Sequence, residues 1–220
     1  TIANGLGDYM LKNNIPFIYA SSASVYGLGE KGFEELCENE NPINAYAYSK
    51  YQFDNFIRVN KSDGAHVVSL RYFNVYGPRE GHKGSMASVI WHFHKQIKEH
   101  QKIQLFKGID GIKDGEQRRD FIYIDDCVQA NLWAAFKNNV SGIFNMGTGQ
   151  SRSFNELAEL ILNYYNLTKE NIEYIDFPKK LLGSYQNYTQ ADLKRIKKSG
   201  FTHKFKSLEE GIPLYLKQLN

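Results

Sequence analysis

Cysteine is scarce in this chain, and long apolar runs and a large excess of either charge are missing. Cys37 and Cys127 are the two cysteines, and neither belongs to a disulfide or zinc-binding pattern, so we expect two reduced thiols in a cytoplasmic protein. The histidines fit no zinc template either, and no metal site is expected. The longest apolar runs, such as residues 67–70, are too short to cross a membrane. The sequence therefore predicts a globular protein with no membrane partner.

The formal net charge is only +3, and the basic clusters that stand out are Lys179-Lys180 and residues 194–198. Such clusters occur on surfaces that bind polyanions and, more often, on solvated helix faces. Because no nucleic-acid-binding motif accompanies them, we favour solvated helix faces and expect no nucleic-acid partner.

Apolar segments of strand length alternate with helical segments along most of the chain. The predicted strands are residues 15–20, 66–72, 119–126 and 142–147. The predicted helices are residues 45–59, 86–99 and 127–136, and a further helix that begins with a capping box at Ser153 and Glu156. Residues 79–118 leave the alternation, because a glycine-rich turn, a helix and a second glycine-rich loop follow one another there.

Tyr46 and Lys50 lie four residues apart in the predicted helix 45–59, and therefore on one face. A lysine ammonium beside a phenol stabilises the phenolate, so the tyrosine can transfer protons near neutral pH. The pair alone is a weak signal, because the chain contains 15 tyrosines and many lysines.

Two more motifs flank this pair. Upstream, Ser22 lies three residues before Val25-Tyr26-Gly27, and downstream residues 71–78 read Arg-Tyr-Phe-Asn-Val-Tyr-Gly-Pro. In this order and at these gaps, the motifs resemble the extended short-chain dehydrogenase/reductase family, in which Ser, Tyr and Lys form a catalytic triad. The resemblance implies an α/β fold, namely a Rossmann-type doubly wound parallel sheet with a smaller α/β substrate-binding lobe.

The family holds the pyrophosphate of its cofactor with a glycine-rich turn after the first strand, and no such turn occurs before Ile15. We therefore expect the N-terminal half of the Rossmann-type domain to be missing, roughly 90 residues at about 30 per strand–helix unit. The residue that discriminates between NADP and NAD would lie in that half. The resemblance implies NADP as the cofactor, with NAD as the alternative.

The resemblance also implies a division of the chain. Residues 1–78 would form the C-terminal half of the Rossmann-type domain, with the catalytic Ser, Tyr and Lys. Residues 79–118 would belong to the substrate lobe, residues 119–147 would return to the sheet, and residues 148–220 would lie mostly in the substrate-binding lobe.

Within the family, residues 71–89, 143–149 and 188–193 resemble the ADP-heptose 6-epimerases, and residues 80–86 are specific to that subfamily. The resemblance implies epimerisation of ADP-D-glycero-β-D-manno-heptose to its L-glycero epimer through a transient 6-keto intermediate, with tightly bound NADP. The product would supply heptose for the lipopolysaccharide core. The resembled enzymes form rings of identical subunits, so a homo-oligomer is expected.

Two other functions stay open. A different nucleotide-sugar epimerase, such as a UDP-hexose 4-epimerase, would use the same motifs, and so would a catalytically inactive binding protein derived from the family. The dehydratases of the family place an acidic pair after the catalytic serine. This chain has Ala23-Ser24 there, so elimination is disfavoured.

The resemblance assigns catalytic roles to four residues. Tyr46 would be a general acid/base, and Lys50 would activate it and contact the nicotinamide ribose. Ser22 would bond the reacting sugar oxygen. Lys83 would be the second acid/base, because inverting a carbinol centre requires proton transfer on both faces of the keto intermediate. The alternative for Lys83 is a solvent-facing or phosphate-binding lysine.

Other residues match ligand contacts of the resembled epimerase. The expected cofactor contacts are Lys50, Val75 and Lys83. The expected substrate contacts are Ser22, Asn74, Ser85, His92, Phe106, Lys107, Gly108, Ile109, Arg119 and Tyr185. Arg119 would pair with the diphosphate, the alternative being an ion pair with Asp120 or Asp125. A purely structural role for His92 is equally compatible with the sequence, and the loop at 109–116 is longer than the family pattern.

Overall fold

The computed structural model describes residues 2–137, 139–179, 183 and 185–219, so Lys180 of one basic cluster lies outside the described residues. The helices are α1 (Ile2–Lys12), α2 (Ala45–Asn60), α3 (Val89–His100), α4 (Ile124–Phe136), α5 (Phe154–Tyr164), α6 (Lys194–Lys198) and α7 (Leu208–Leu219). The strands are β1 (Phe17–Ser22), β2 (Val67–Tyr72), β3 (Asn74–Tyr76), β4 (Ile103–Phe106), β5 (Arg118–Tyr123), β6 (Gly142–Met146), β7 (Ser151–Ser153) and β8 (Ile172–Ile175).

Strands β1, β2 and β6 form one parallel sheet, with β2 in the middle. The register places Ser21 beside Arg71 and Arg71 beside Asn145, so these three residues form a row across the sheet near its carboxyl end. Side chains alternate between the two faces of a strand, and this row therefore shares a face with Tyr19 and Ser69. Helix α2 covers that face.

The two faces of this sheet differ in polarity. Under α1 and α2 the face starts apolar, with Phe17 and Val67 packed near Ile57, and becomes polar toward the carboxyl ends of the strands. The opposite face is apolar along its length and packs against α4 and α6. Its buried side chains include Val68, Leu70, Phe144, Met146, Ala130, Ala134 and Ile196. Burial of each large aliphatic side chain there contributes about 1.5–3 kcal/mol.

A second apolar core lies outside this sheet. Strand β4 pairs in parallel with β8, and helices α3, α5 and α7 pack around them. Its fully buried members include Ile90, Ile103, Leu157, Ile161 and Ile212. Strand β5 lies between β3 and β7, and Phe121 and Tyr123 of β5 belong to the same core. Residues of the segments 79–118 and 148–220 thus pack together.

Several element ends differ from the sequence prediction. Helix α3 begins at Val89 rather than at residue 86, because Ser88 caps it and Gly84 takes a left-handed φ of +55° that interrupts the preceding turn. Helix α4 begins at Ile124, so the strand predicted at 119–126 ends earlier. The capping box of α5 is confirmed, since the side chains of Ser153 and Glu156 bond each other's backbone N–H groups.

In the described part of the chain, no helix is long and apolar enough to cross a membrane. The same residues contain no cluster of three His, Cys, Asp or Glu side chains that would hold a metal ion. Cys37 is an exposed free cysteine and Cys127 a buried one. The basic segment 194–198 forms helix α6, in which Lys194 pairs with Glu34 and Asp192.

Candidate active site

Asn44 begins helix α2, because its side-chain oxygen accepts a hydrogen bond of 2.8 Å from the backbone N–H of Ala47. Tyr46 therefore lies in the first turn and Lys50 one turn later. The Lys50 ammonium donates to the backbone carbonyl of Ala20 at 3.0 Å and lies 5.9 Å from the centre of the Tyr46 ring. The structure thus brings the pair to the carboxyl end of β1, where ligand sites of open α/β sheets lie.

Ser22 ends β1 at the same place. Its Oγ accepts a hydrogen bond from the backbone N–H of Ser24 at 3.2 Å and so caps the short 3-10 helix Ala23–Tyr26. A hydroxyl has two acceptor positions and one proton to donate, so this cap leaves the Ser22 proton free for a ligand. Tyr46 is 55% exposed, and its phenol is open to a ligand as well.

The residues at this end of β1 fit the nicotinamide riboside part of a dinucleotide. An ammonium has three N–H donors, and Ala20 uses one of those of Lys50, which leaves two for ribose hydroxyls. Val75 is half-buried in β3, the strand that follows β2 in the chain. No glycine-rich turn follows a strand before these residues, so the described part of the chain offers no cradle for the pyrophosphate.

An apolar cavity of about 190 Å³ lies in the second core, between α3, β4, α5 and β8. Three of the predicted substrate contacts line it, namely His92, Phe106 and Tyr185. The Phe106 and Tyr185 rings lie 6.5 Å apart between centroids, close to edge-to-face. The sequence analysis did not single out the other lining residues, which are Val89, Phe93, Gln96, Gln104, Leu105, Gln117, Phe154 and Ile175.

Arg119 lies beside this cavity and is 6% exposed. Its guanidinium carbon lies 4.8 Å from the centre of the Tyr185 ring and 5.8 Å from that of Phe154, and Nη1 donates to the carbonyl of Arg118. Burial lowers the pKa of Arg119.

Asp120 does not pair with this arginine. Its carboxylate accepts bonds from both the backbone N–H and the hydroxyl of Thr148, and from the backbone N–H groups of Gly149 and Ala191. Among the residues that the structure describes, no carboxylate lies within ion-pair distance of the Arg119 guanidinium. The predicted alternative of an ion pair is therefore not observed, and the arginine is available for a ligand anion.

The predicted nucleotide loop folds back on itself. Gly108 donates its N–H to Asp114 at 2.8 Å, and a Cβ at Gly108 would meet the carbonyl oxygen of Ile112 at 1.7 Å, so only glycine fits. Ile109 accepts a bond from the N–H of Ile112 at 3.0 Å. Lys107 forms an exposed ion pair of 2.7 Å with Asp176, which is the main cause that raises the pKa of Lys107.

Lys83 and Ser85 belong neither to the residues at the end of β1 nor to those that line the apolar cavity. They lie on a 3-10 turn formed by Gly81–Met86, in which every residue is exposed. In the described chain, the Lys83 ammonium has no hydrogen-bond or ion-pair partner. Glu80 directly precedes this turn and is buried. Its carboxylate accepts bonds from the Ser88 backbone and hydroxyl and from the Tyr215 hydroxyl at 2.7 Å.

The other predicted contacts divide in the same way. Asn74 is exposed at the start of β3 and accepts a bond of 3.5 Å from Thr189. His92 faces the apolar cavity, whereas His94, two residues later, is buried and bonds the Tyr165 hydroxyl at 2.6 Å. Residues two apart on a helix point in different directions, so the sequence could have indicated that only one of these two histidines faces the core.

Comparison with known proteins gives the same family as these motifs. The model of the NAD dependent epimerase/dehydratase family matches residues 2–147. The chain is 48% identical over 226 residues to an ADP-L-glycero-D-manno-heptose-6-epimerase from Alkalilimnicola ehrlichii, covering 96% of this chain and 70% of that protein.

Solved structures are similar as well. The Helicobacter pylori ADP-L-glycero-D-manno-heptose-6-epimerase superposes with a TM-score of 0.83 at 34% identity, covering 97% of this chain and 63% of that one. A Thermotoga maritima UDP-glucose 4-epimerase superposes with a TM-score of 0.78 at 29% identity, covering 99% and 67%. The chain thus spans about two thirds of the length of these relatives.

The Rossmann-like α/β fold expected from the sequence is confirmed by the parallel β1–β2–β6 sheet and by these superpositions. The matched residues 2–147 include Ser22, Tyr46 and Lys50. With a family model that matches more than half of its residues and a relative 48% identical over nearly its whole length, this chain belongs to the NAD dependent epimerase/dehydratase family.

Proposed function

We propose that the intact protein is a nucleotide-sugar epimerase that converts ADP-D-glycero-β-D-manno-heptose to its L-glycero epimer. The central observation is the Lys50 ammonium, which donates to the carbonyl of Ala20 near the carboxyl end of β1 and lies 5.9 Å from the centre of the Tyr46 ring. The 48% identity to an ADP-heptose epimerase favours this substrate over other nucleotide sugars.

Tyr46 and Lys50 are proposed to move the proton of the sugar hydroxyl. Tyr46 is proposed to take the hydroxyl proton as the carbinol is oxidised and to return it after reduction, with the Lys50 ammonium beside it. Ser22 is proposed to donate a hydrogen bond to the same sugar oxygen, since its proton is not used by its capping bond.

A bound nicotinamide dinucleotide, which we propose to be NADP with NAD as the alternative, would supply the hydride acceptor and donor at the reacting carbon. Lys50 and Val75 would hold its nicotinamide riboside end, and Lys83 is a further proposed contact. Strand β1 has no partner on its outer edge among the described residues, and a cavity of about 860 Å³ opens there between α1, β1 and α2. We propose that the pyrophosphate-binding half pairs along this edge.

The apolar cavity is proposed to take the adenine nucleotide. Phe106 and Tyr185 offer aromatic faces to a base, and Arg119 offers the diphosphate a buried guanidinium that has no carboxylate partner among the described residues. His92, Lys107, Gly108 and Ile109 are proposed to close the site around the nucleotide, and Asn74 and Ser85 to contact the sugar.

Lys83 is proposed as the second acid/base. Reduction on the opposite face of a keto sugar needs a proton-transfer group there. The Lys83 ammonium has no hydrogen-bond or ion-pair partner among the described residues, so it is free to take this role. Its exposure also suits a phosphate contact, which is the alternative role.

The proposed setting follows from the family likeness. Residues 79–118 and most of residues 148–220 are proposed to form the substrate lobe, since both segments contribute to the second core, while residues 1–78 and 119–147 form the dinucleotide half, against which α6 packs. A homo-oligomer is proposed, and the exposed apolar side chains of Val128, Leu132 and Phe136 on α4 form a surface that suits subunit contacts.

A cytoplasmic location is proposed, because a reducing compartment suits the free thiols. The product is proposed to supply heptose for the lipopolysaccharide core.

Substrate competition tests the proposal. The intact protein is incubated with ADP-D-glycero-heptose or with UDP-glucose, and the products are resolved by proton NMR. We expect inversion at C6 of the ADP-heptose with no net consumption of added NADP or NADPH. Inversion of the UDP-hexose with the ADP-heptose unchanged would replace the proposal with a UDP-hexose 4-epimerase, and a protein that binds cofactor but inverts neither would indicate a binding protein.

A further inference from the structure

The carboxylate of Asp54 has no exposed surface and lies between helix α2 and the sheet. It accepts five hydrogen bonds from two strands: from Tyr19 Oη at 2.9 Å, Ser21 Oγ at 3.0 Å, Ser69 Oγ at 3.1 Å, Arg71 Nε at 3.0 Å and Arg71 Nη2 at 2.8 Å. All of these donors lie on the face of the sheet that α2 covers.

Arg71 extends this network across the sheet. Its guanidinium also bonds Glu40 and donates to the Tyr26 hydroxyl at 3.0 Å. Tyr26 in turn donates to Asn145 Oδ1 at 2.8 Å. Because Arg71 is paired in register with Asn145 on β6, the network joins all three strands to α2 and to the segment before it.

The charges in the network alternate and balance. The order is Asp54, Arg71, Glu40 and Arg58, with two anions and two cations. Burial alone would raise the pKa of Glu40, but the bonds from Arg58 and Arg71 outweigh it and lower that pKa. Removing Arg71 would leave the Asp54 carboxylate buried without a cation, and removing Asp54 would leave the network with an excess positive charge, so the four charges are coupled.

The same helix face connects this network to the proposed active site. Tyr46, Lys50, Asp54 and Arg58 follow one another at four-residue intervals along α2. Lys50 bonds the carbonyl of residue 20, and Asp54 bonds the side chains of residues 19 and 21. Three consecutive residues of β1 are therefore tied to α2 immediately before Ser22.

We propose that Asp54 is a positioning residue, which sets the register of α2 against the end of β1 and thereby holds Tyr46 and Lys50 in place relative to Ser22. It is fully buried and acts through these residues, without touching substrate. The inference rests on the proposed epimerase function, because it assigns Asp54 to the geometry of that reaction. A misplacement of about 1 Å at a reacting group can cost on the order of a hundredfold in rate.

Two serines provide the matched test. Ser21 and Ser69 are both buried, and each donates a single hydroxyl bond of similar length to Asp54. Ser21 adjoins Ser22, whereas Ser69 lies in the middle strand three residues before its end. Ser21→Ala and Ser69→Ala therefore remove equivalent bonds, of which only the first ties the end of β1.

In the intact enzyme, we expect Ser21→Ala to lower kcat about tenfold with KM changed less than about twofold, whereas Ser69→Ala leaves kcat within about twofold. Thermal melting should show similar losses of stability for both variants, and kcat is scaled to folded protein. Equal kcat values for the two variants would overturn the inference and assign the network a structural role alone.

A second pair of variants tests the charge itself. Asp54→Asn is compared with Asp126→Asn, since Asp126 is equally buried and accepts bonds from His203 at 2.7 Å and from the Lys206 backbone at 2.9 Å, away from α2. We expect a lower kcat per folded molecule for Asp54→Asn alone. Equal kcat losses would also overturn the inference, whereas a wild-type enzyme that epimerises no nucleotide sugar would overturn the proposed function itself.

Discussion

The two candidate acid/base groups lie on elements that are packed to different extents. Tyr46 and Lys50 belong to a helix of 16 residues, and the other turns of the same helix face reach a buried network of charges. Lys83 lies on a turn of six residues, all exposed, and its ammonium bonds none of the described residues. Electrostatic catalysis is strongest with groups that are already in place. In their proposed roles, Tyr46 would be preorganised by its helix, whereas Lys83 would have to be ordered by a ligand.

Arg119 shares one feature with the charges under α2 and another with Lys83. It is buried, like Asp54 and Arg71, yet it has no carboxylate partner in the described chain, like Lys83. A buried cation without an anion is costly for folding, and burial accordingly lowers the pKa of Arg119 from its ordinary value. In the proposed function, the charges under α2 would therefore contribute to both folding and catalysis, whereas Arg119 and Lys83 would find their partners only in a bound ligand.

The largest expected effect belongs to the preorganised group. Tyr46→Phe should lower epimerisation by the intact enzyme by about a hundredfold or more, the usual size of a general acid/base contribution. Tyr48→Phe is the matched control, because Tyr48 lies on the same helix and is 52% exposed against 55% for Tyr46. Steady-state kinetics with ADP-heptose should show near wild-type turnover for the control. Equal activity of both variants would remove Tyr46 from the mechanism.

The exposed turn gives the next largest effect. Lys83→Met should lower kcat about tenfold or more with KM changed less than about threefold, because a lysine that acts as acid/base contributes to the reaction rather than to binding. Lys95→Met, on the following helix, is the control for loss of a surface charge. A raised KM with unchanged kcat would instead make Lys83 a phosphate contact.

Replacing Arg119 should weaken substrate binding without lowering the stability of the ligand-free protein. Arg119→Leu should raise KM for the nucleotide sugar about tenfold, or about 1.4 kcal/mol, because the diphosphate loses a charged donor. The melting temperature of the ligand-free protein should stay unchanged or rise, since the buried charge that opposes folding is removed.

The neighbouring arginine provides the control for this change. Arg118→Leu breaks an ion pair with Glu156 at 3.3 Å and should leave KM within about twofold. A clear drop in the melting temperature of Arg119→Leu would show that Arg119 stabilises the free protein, and would contradict its assignment as a cation reserved for a ligand.

The smallest effect concerns the support under the turn. Tyr215→Phe removes the hydroxyl that donates to Glu80 and should lower stability by about 1 kcal/mol, with kcat reduced about threefold as the Lys83 turn loosens. Tyr76→Phe is the control, since the buried Tyr76 hydroxyl has no hydrogen-bond partner among the described residues. Denaturant unfolding and steady-state kinetics measure both changes, and a greater loss for Tyr76→Phe would refute this role of Glu80.

Local patterns predicted much of this fold. The interval between Tyr46 and Lys50 correctly placed both on one face of α2, and Ser153 with Glu156 correctly marked the start of α5. Such signals need only neighbouring residues, because helix periodicity and capping act within one turn. The start of α3 was predicted three residues early, since the left-handed conformation of Gly84 is not visible in an apolar pattern.

The surroundings of the proposed site were less predictable. In the network of Asp54, Arg71 and Glu40, the bonded pairs are 17 and 31 positions apart in the sequence. Asp54 continues the Tyr46–Lys50 interval by one more turn, which was the available signal. The donors to Asp54 lie on β1 and β2, and which of their residues are side by side depends on the strand register, which the sequence pattern does not predict.

The sequence by itself determined the family, the alternation of strands and helices, and the identity of the tyrosine, lysine and serine at the end of β1. These follow from short-range spacing and from motif order. The tertiary structure decided which charges are buried and which are free. It places the Asp54 carboxylate among five donors, leaves Arg119 without a described carboxylate partner, and exposes Lys83. Burial and pairing depend on segments far apart in the chain, and only the folded sheet brings those segments together.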